Sequence, residues 1–326
     1  MSSLLALENL QTTFRTREGE VHAVRGVSFQ VQPGELVGIV GESGCGKSVT
    51  CKSIIQLLGS NGRITGGSIR FQNDDLAQKT PAQMRAIRGN EIAMIFQDPM
   101  TALNPVLTIG KQMAEILMRN KGLTKRAAKA AAIAMLEQVG IAEAERRYDQ
   151  YPHEFSGGMR QRVMIAIALS CNPKLLIADE PTTALDVTIQ AQILRLLKSL
   201  QQQTQTAILL ITHDLGVVAQ VCSRVVVMYG GQVMEEGSVE DIFYRPAHPY
   251  TQGLIRAIPD FGSAMPHKSR LNTMPGAIPL LEQLPIGCRL GPRCPYAQRE
   301  CIETPRLTGA KNHLYACHFP LNMERE

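Results

Sequence analysis

The alternation of hydrophobic and polar residues changes character several times along the chain and predicts different elements in each part. Residues 4–32 contain two short strands around a charged turn, and residues 26–31 alternate apolar and polar side chains as a half-buried strand does. Residues 35–40 are instead a short apolar run, which is typical of a strand buried on both faces. A glycine-rich segment follows, and residues 49–58 predict a helix. The first part of the chain therefore predicts a strand–loop–helix unit.

The middle of the chain alternates between strand-like and helical regions. Residues 66–96 are rich in strand-like patterns, whereas residues 108–170 show apolar positions at helical spacing among many Ala, Leu, Lys and Glu residues. Residues 174–230 return to alternating strands and helices, which favours a parallel sheet. The pattern predicts an α/β fold with a helical subdomain inserted at about residues 98–168.

The composition shifts after residue 245, where proline becomes frequent. This predicts one domain over residues 1–245 and a C-terminal extension over residues 246–326. Neither contains the ~18–20 consecutive apolar residues that a membrane-spanning helix needs. The start of the chain also lacks the basic segment of a secretory signal. If this protein serves a membrane pore, the pore is therefore expected on another polypeptide.

Composition and charge exclude two broad classes of protein. Hydrophobic residues make up 44% of the 326 residues, which suffices for a packed core and argues against intrinsic disorder. The net charge is +5, and no dense run of lysine and arginine indicates a nucleic-acid partner. We therefore expect a folded protein that does not bind nucleic acid.

The glycine-rich segment at residues 41–48 matches the pattern G-x-x-x-x-G-K-[ST] and stands between a predicted strand and a predicted helix. In that context glycines let backbone N–H groups approach phosphate oxygens, and the helix N-terminus adds its positive end. Lys47 supplies a cation for the β- and γ-phosphates of ATP, and Ser48 offers a hydroxyl to Mg²⁺. The residues predicted to bind ATP here are Gly41, Glu42, Ser43, Gly44, Cys45, Gly46, Lys47, Ser48 and Val49.

A second apolar run, at residues 175–178, ends in the two carboxylates Asp179 and Glu180. A strand that ends in a carboxylate is how phosphate-loop folds hold Mg²⁺, so Asp179 is the predicted metal ligand. Glu180 follows directly and is predicted to polarise the attacking water. Taken alone, this pattern is more typical of an ordinary strand end. It indicates a magnesium site only in combination with the phosphate loop at residues 41–48.

Many protein families bind nucleotide through such a phosphate loop, and the segment at residues 155–162 indicates which of them this chain resembles. It reads Phe-Ser-Gly-Gly-Met-Arg-Gln-Arg and resembles the signature motif of ABC ATPases, which is usually Leu-Ser-Gly-Gly-Gln. Ser156, Gly157 and Gly158 agree with that motif, whereas Phe155 and Met159 depart from its commonest form. Such a turn before a helix exposes N–H donors suited to a γ-phosphate, and a plain helix N-cap at Ser156 is the simpler alternative.

Four further positions match the same family in order and spacing. Gln97 follows a predicted strand where ABC ATPases have the Q-loop, residues 183–186 resemble the D-loop, and His213 stands where the family has its switch histidine. Phe14 stands where the family stacks an aromatic ring on adenine, and a core position fits it equally well. The resemblance covers about residues 5–240. It implies an ABC nucleotide-binding fold, with a RecA-like core, an antiparallel β subdomain and the inserted helical subdomain.

The resemblance to ABC ATPases also implies a mechanism. Two protomers meet head to tail in that family, so that ATP lies between Lys47 of one and the turn at residues 156–158 of the other. Gln97 is then expected near Mg²⁺ and the attacking water, His213 at the γ-phosphate, and Asp186 at the neighbouring protomer. The resemblance thus assigns catalysis to Glu180, His213 and Gln97, and Mg²⁺ binding to Ser48, Gln97 and Asp179.

Three segments resemble the branch that imports dipeptides and oligopeptides: residues 97–105, residues 180–190 and residues 245–251, which open the extension. The resemblance implies an ATP-hydrolysing subunit that powers peptide import through a separate permease. The implied partners are a related ATPase chain in a heterodimer, two permease subunits and an extracytoplasmic substrate-binding protein. This chain is then expected on the cytoplasmic face of the inner membrane. Nickel or glutathione uptake and a non-transport ABC ATPase stay open as alternatives.

Four of the eight cysteines fall in the extension, at spacings unlike those of a zinc ribbon: Cys288, Cys294, Cys301 and Cys317. Neighbouring glycines and prolines provide turns that let four thiolates converge, and four thiolates suit either a tetrahedral zinc or a [4Fe–4S] cluster. The resemblance to peptide-importer ATPases implies the cluster, with zinc and unligated cysteines as alternatives. Another cysteine, Cys45, lies in the phosphate loop, whose surroundings predict a stabilised thiolate.

Overall fold

The computed structural model describes residues 3–183, 185–258, 274–310 and 312–322. The chain forms two compact units, each built from segments that are far apart in the sequence. Unit 1 comprises Met1–Val31, Val37–Ala77 and Thr212–Glu326, and unit 2 comprises Gln32–Leu36 and Gln78–Ile211.

The strands and helices follow the predicted alternation in most parts of the chain. In chain order the strands are β1 (Leu5–Arg15), β2 (Glu20–Val31), β3 (Leu36–Val40), β4 (Gly62–Phe71), β5 (Asp74–Asp75), β6 (Ile92–Ile95), β7 (Leu175–Asp179), β8 (Ala207–Thr212), β9 (Arg224–Tyr229), β10 (Gln232–Ser238), β11 (Thr308–Ala310) and β12 (His313–Tyr315). The helices are α1 (Lys47–Ile54), α2 (Pro81–Ile87), α3 (Pro99–Ala102), α4 (Ile109–Lys121), α5 (Lys125–Gln138), α6 (Ala144–Tyr148), α7 (Gly157–Leu169), α8 (Val187–Thr204), α9 (Leu215–Val221), α10 (Val239–Tyr244) and α11 (Pro249–Arg256).

Unit 1 contains an antiparallel sheet with the strand order β2-β1-β4-β5. In β2, Val27, Phe29 and Val31 are buried and Gln30 is exposed, which confirms the alternation predicted for this strand. The two strands around the charged turn are longer than predicted. Strands β1 and β2 contain 11 and 12 residues, and they pair with each other antiparallel.

Unit 1 also contains the strands β11-β12-β10-β9-β3, in that order. Strand β3 is buried along its whole length and pairs in parallel with β9, as its apolar run predicts. The extension adds the antiparallel strand pair β11 and β12 to the edge of β10. A hydrophobic cluster joins Val40 of β3 to Tyr250, Cys288 and Leu290 of the extension. The extension therefore shares the core that carries the phosphate-loop strand.

Unit 2 contains the parallel strands β8, β7 and β6, whose carboxyl ends point the same way. The predicted helical region is present, and Thr108, Thr124 and Ser156 accept a backbone N–H bond at the starts of α4, α5 and α7. The interpretation of residues 66–96 as β-rich was wrong in one place. Residues 81–87 form α2, whose N-cap Thr80 and Gln83 make a capping box.

Among the described residues, no helix is both long enough and apolar enough to cross a membrane. This agrees with the sequence-based prediction that the apolar runs of the chain are too short for such a helix. Strands β3 and β7, which precede the phosphate loop and Glu180, are buried elements of only five residues each.

Candidate functional site

The phosphate loop at residues 41–48 connects β3 to α1, as predicted. Gly46 caps α1 with a φ of 100°, and a Cβ on it would lie 2.6 Å from the carbonyl oxygen of Ala23. The space at Gly41 is tighter, because a Cβ there would lie 2.2 Å from the carbonyl oxygen of Met228. Only glycine fits these two positions, so the loop follows a close path that a side chain would block.

Lys47 is held over the phosphate loop at the start of α1. Its side chain is buried, and its Nζ donates to the carbonyl oxygens of Gly41 at 2.7 Å and Glu42 at 3.0 Å. The ammonium group is thus prepositioned beside the loop that would surround a phosphate. Ser48, the next residue, lies half-buried in the first turn of α1.

Cys45 differs from the sequence-based expectation of a stabilised thiolate. Its side chain is 2% exposed, and burial raises the pKa of its thiol. Lys47, whose Nζ lies 3.8 Å from the sulfur, lowers the pKa but does not offset the burial. Cys45 is therefore packed inside the loop, where burial disfavours its thiolate.

The two predicted carboxylates lie at the end of β7. Asp179 is the last residue of the strand and is buried, with 3% of its surface exposed. Glu180 has a φ of 46°, in the left-handed region that residues other than glycine rarely adopt. Its backbone N–H donates to the carbonyl oxygen of Ile211 at 3.0 Å, which holds this conformation. Backbone strain of this kind is concentrated at functional sites.

The structure brings Gln97 and Glu180 together although they are 83 residues apart in sequence. The Nε2 group of Gln97 donates to Oε2 of Glu180 at 2.9 Å, and the hydroxyl of Thr183 donates to the same oxygen at 2.9 Å. These two bonds orient the carboxylate. Thr183 was missed as a site residue, and its only sequence signal is its place in the D-loop segment. Ala184, in the same segment, lies outside the described residues.

The signature turn, residues 156–158, lies at the surface of unit 2. Ser156 is exposed, and its hydroxyl accepts a bond from the backbone N–H of Met159 at 3.3 Å, which caps α7. A Cβ on Gly158 would lie 2.8 Å from the Ile189 side chain of α8, so any larger residue here would force that side chain to move. Phe155, which departs from the commonest form of the motif, is buried, with 3% of its surface exposed. The N-cap interpretation is confirmed, and the turn remains accessible.

The remaining predicted residues occupy three separate places. Asp186 caps α8 by accepting the backbone N–H of Ile189 at 2.9 Å. His213 follows β8 and is exposed. Phe14 is half-buried in β1, with its ring against Gly62, where an added Cβ would lie 2.6 Å from the ring.

The four cysteines of the extension, Cys288, Cys294, Cys301 and Cys317, line one small cavity in unit 1 together with His248 and His318. None of the four forms a disulfide. Burial raises the pKa of Cys317 to about 11, and a hydrogen bond with the backbone of Phe319 offsets only part of this shift. In the described part of the chain, no group of three or more His, Cys, Asp or Glu side chains is arranged to hold a metal ion. The four cysteines match a four-thiolate site in residue type and number, but they are not arranged as metal ligands here.

Comparison with known proteins places these features in one family. The profile described as "ABC transporter" matches residues 24–183, and the profile described as "Oligopeptide/dipeptide transporter, C-terminal region" matches residues 234–301. The "Peptide transport system ATP-binding protein SapD" of Salmonella typhimurium is 53% identical over 332 residues, with 99% of each chain covered. The chain belongs to the ABC transporter family. The "Oligopeptide transport ATP-binding protein AppD" of Bacillus subtilis is 54% identical over 302 residues, 92% of this chain and 91% of that one.

A solved ABC structure supports the same conclusion. The ATP-binding cassette MJ0796, described as a dimer in a post-hydrolysis state bound to ADP and Pi, matches with a TM-score of 0.65 and 29% identity. The match covers 72% of this chain and 98% of MJ0796. The predicted ABC ATPase fold is confirmed, and this ABC transporter chain is an ATPase subunit that uses ATP and Mg²⁺.

Proposed function

We propose that this chain hydrolyses ATP to power the import of dipeptides or oligopeptides through a separate membrane permease. The observation that carries the proposal is the match along nearly the whole chain to peptide-transport ATP-binding proteins. In addition, residues 234–301 match the family profile for the C-terminal region of oligopeptide/dipeptide transporters. The intact Lys47 and Glu180 support an active motor instead of a catalytically inactive interaction module.

Each predicted site residue has a chemical role in this proposal. Lys47 and backbone N–H groups of the loop at residues 41–49 would hold the phosphates, and Ser48, Gln97 and Asp179 would hold Mg²⁺. Glu180, oriented by its bonds from Gln97 and Thr183, accepts a proton from the attacking water. His213 contacts the γ-phosphate, and Phe14 stacks on adenine. ATP and Mg²⁺ supply the reacting phosphoryl group and the charge that stabilises it.

The exposed signature turn supports a head-to-tail pair of ATPase subunits. Ser156 lies at the surface at the start of α7, where N–H groups and the helix dipole favour an anion. We infer that Ser156, Gly157 and Gly158 bind ATP held by a partner, a second and related ATPase chain, and that Asp186 lies at that interface. Two permease subunits in the inner membrane and an extracytoplasmic substrate-binding protein complete the proposed complex, and this chain lies at the cytoplasmic face of that membrane.

The cysteine cavity supports a metal group in the extension, residues 246–326, beside the ATPase domain, residues 1–245. Four thiols around one cavity match the four thiolates of a [4Fe–4S] cluster or of a tetrahedral zinc. A bound cation would lower the pKa of the thiols, which burial now raises. We propose the iron–sulfur cluster as the occupant.

Co-purification from membranes tests the transport proposal. The chain is isolated with its partners, the partners are identified by mass spectrometry, and ATP hydrolysis is measured with dipeptides, oligopeptides, nickel or glutathione supplied with the binding protein. Stimulation by peptides is expected. Stimulation by nickel or glutathione alone would assign a different cargo, and isolation without any membrane partner would exclude the transport role.

Anaerobic purification tests the cluster proposal separately. The expected protein is brown and contains four irons per chain, and substituting Cys294 by serine should reduce the iron content. Colourless protein with one zinc per chain would assign zinc instead. Protein with neither metal would leave the cysteines unligated and overturn this part of the proposal.

A further inference from the structure

Glu42, the second residue of the phosphate loop, is held by an arginine of the C-terminal extension. Arg293 Nη1 lies 2.6 Å from Glu42 Oε2, and Nη2 lies 2.9 Å from Oε1, so the guanidinium binds the carboxylate with both of its ends. The two side chains are 6% and 22% exposed. Such two-pronged contacts fix geometry as well as charge, because both groups are planar.

The backbone of Glu42 is also held, on both of its polar groups. Its N–H donates to the hydroxyl oxygen of Tyr250 at 2.8 Å, and Tyr250 is fully buried in α11 of the extension. Its carbonyl oxygen accepts the bond from Lys47 Nζ at 3.0 Å. One residue therefore links two side chains of the extension to the lysine of the phosphate loop.

Arg293 is itself fixed by several contacts. Its Nε donates to the carbonyl oxygen of Pro275 at 3.0 Å, and Nη1 also lies 3.2 Å from the hydroxyl of Tyr229. The guanidinium lies 5.7 Å from the centre of the Tyr229 ring, which in turn lies 4.8 Å from the Tyr250 ring. The backbone N–H of Arg293 donates to the carbonyl oxygen of the buried Leu290 at 2.8 Å. Contacts of both the backbone and the guanidinium therefore hold Arg293 beside Glu42.

These contacts have an electrostatic consequence for ATP. Glu42 places a carboxylate within a loop whose purpose is to bind a highly negative triphosphate. An unpaired carboxylate there would repel the phosphates in partly desolvated surroundings, where charges act strongly. Arg293 neutralises that carboxylate and keeps the carbonyl of Glu42 at Lys47.

We propose that Arg293 is a positioning residue for ATP binding, through which the C-terminal extension sets the affinity of the phosphate loop for nucleotide. The extension is thus part of the ATP site of its own chain, in addition to any role of its cysteines. This role concerns the ATPase itself and does not depend on which metal the cysteines bind or on the cargo.

The test compares the full-length variants Arg293→Gln, Arg293→Lys and the double variant Arg293→Gln/Glu42→Gln with the parent. Dissociation constants for ATP are measured by calorimetry, KM and kcat by phosphate release, and folding by circular dichroism and thermal melting. Arg299→Gln is the matched control, because Arg299 is an exposed arginine of the same extension.

Arg293→Gln is expected to weaken ATP binding by about fivefold or more, a typical size for coupling between two parts of a protein. KM should rise by more than kcat falls, and Arg293→Lys should lie in between. The double variant should recover about half of the lost affinity on a logarithmic scale, because it removes the unpaired charge. Arg299→Gln should bind ATP like the parent.

Two results would overturn the proposal. One is a folded Arg293→Gln variant that binds ATP with the parent's affinity. The other is a loss of affinity that follows thermal stability alone and is not relieved by Glu42→Gln, which would make Arg293 a purely structural residue. If Arg293→Gln does not fold, Arg293→Lys decides the question, because it keeps the charge and loses the two-pronged contact.

Discussion

The phosphate loop and the signature turn both present backbone N–H groups at the start of a helix, but they are held in different ways. The signature turn is fixed locally, because Ser156 caps α7 by binding the N–H of a residue three positions later. The phosphate loop is fixed from far away in sequence. Glu42 contacts Tyr250 and Arg293, which follow it by 208 and 251 residues.

This difference indicates which part of the ATP chemistry the extension can influence. A locally capped turn keeps its shape as long as its helix is folded, which suits a surface offered to another molecule. A loop held by distant side chains changes when those side chains move, so its affinity for phosphate depends on tertiary structure. The following predictions test the two regions, beginning with the largest expected effect.

The largest effect is expected for a substitution of Glu180, which should slow ATP hydrolysis without weakening ATP binding. Glu180→Gln keeps an acceptor for Gln97 and Thr183 but removes the base, so kcat should fall by roughly 10²–10⁴-fold while ATP still binds. Phosphate release and nucleotide binding measure the two quantities. Glu282→Gln, at an exposed position of the extension, is the control and should match the parent. A kcat within tenfold of the parent would remove Glu180 from the proton transfer.

The next effect is expected on stability, at the contact that docks the extension onto β10. Glu235 is fully buried and accepts the N–H groups of Ala247 at 2.7 Å and His248 at 2.9 Å, and its Oε1 lies 2.7 Å from His313 Nε2. Glu235→Ala leaves these groups unpaired and should lower the free energy of unfolding by about 3 kcal/mol. Denaturant unfolding measures the loss.

Glu235→Gln is the matched control for that substitution. It keeps the size of the side chain and one acceptor oxygen, so a smaller loss than for alanine is expected. If both variants unfold like the parent, the extension is not held by Glu235. The long-range anchoring of the phosphate loop would then rest on the contacts of Glu42 alone.

Lys47→Ala should have an intermediate effect, confined to binding. The ammonium makes charge-assisted bonds, which contribute about 1.5–3 kcal/mol each, so ATP affinity should fall by roughly tenfold to 100-fold. Calorimetry with ATP measures the change. Lys121→Ala, an exposed lysine at the end of α4, should leave the affinity unchanged. Equal affinity in the Lys47 variant would refute its role at the phosphates.

The smallest effect is expected at the signature turn. Ser156→Ala removes the N-cap of α7 and should cost about 1 kcal/mol of stability, as should Thr124→Ala at the matched cap of α5. Only the Ser156 variant should reduce ATP hydrolysis by the assembled subunits, and neither should change ATP binding by the isolated chain. A weaker affinity of the isolated Ser156 variant would show that this turn serves its own chain's nucleotide.

Sequence patterns predicted the elements whose signals are local. The strand before Gly41, the helix after Lys47 and the helical region with its caps follow from apolar runs, glycines and N-cap residues. The exception was α2, where the capping box at Thr80 and Gln83 was a local signal that was overlooked. The pairing of Gln97 with Glu180 needed the parallel register of β6 and β7, which no local pattern contains.

The sequence by itself determined the family and the phosphate loop, because these depend on residue types at short spacing within local motifs. Tertiary structure alone decided that Cys45 is buried, which raises the pKa of its thiol, and that Arg293 reaches Glu42. It also decided that the four cysteines of the extension line one cavity. The physical reason is that burial, charge pairing and convergence depend on distances between residues that lie far apart in the chain, and those distances are set only when the core packs.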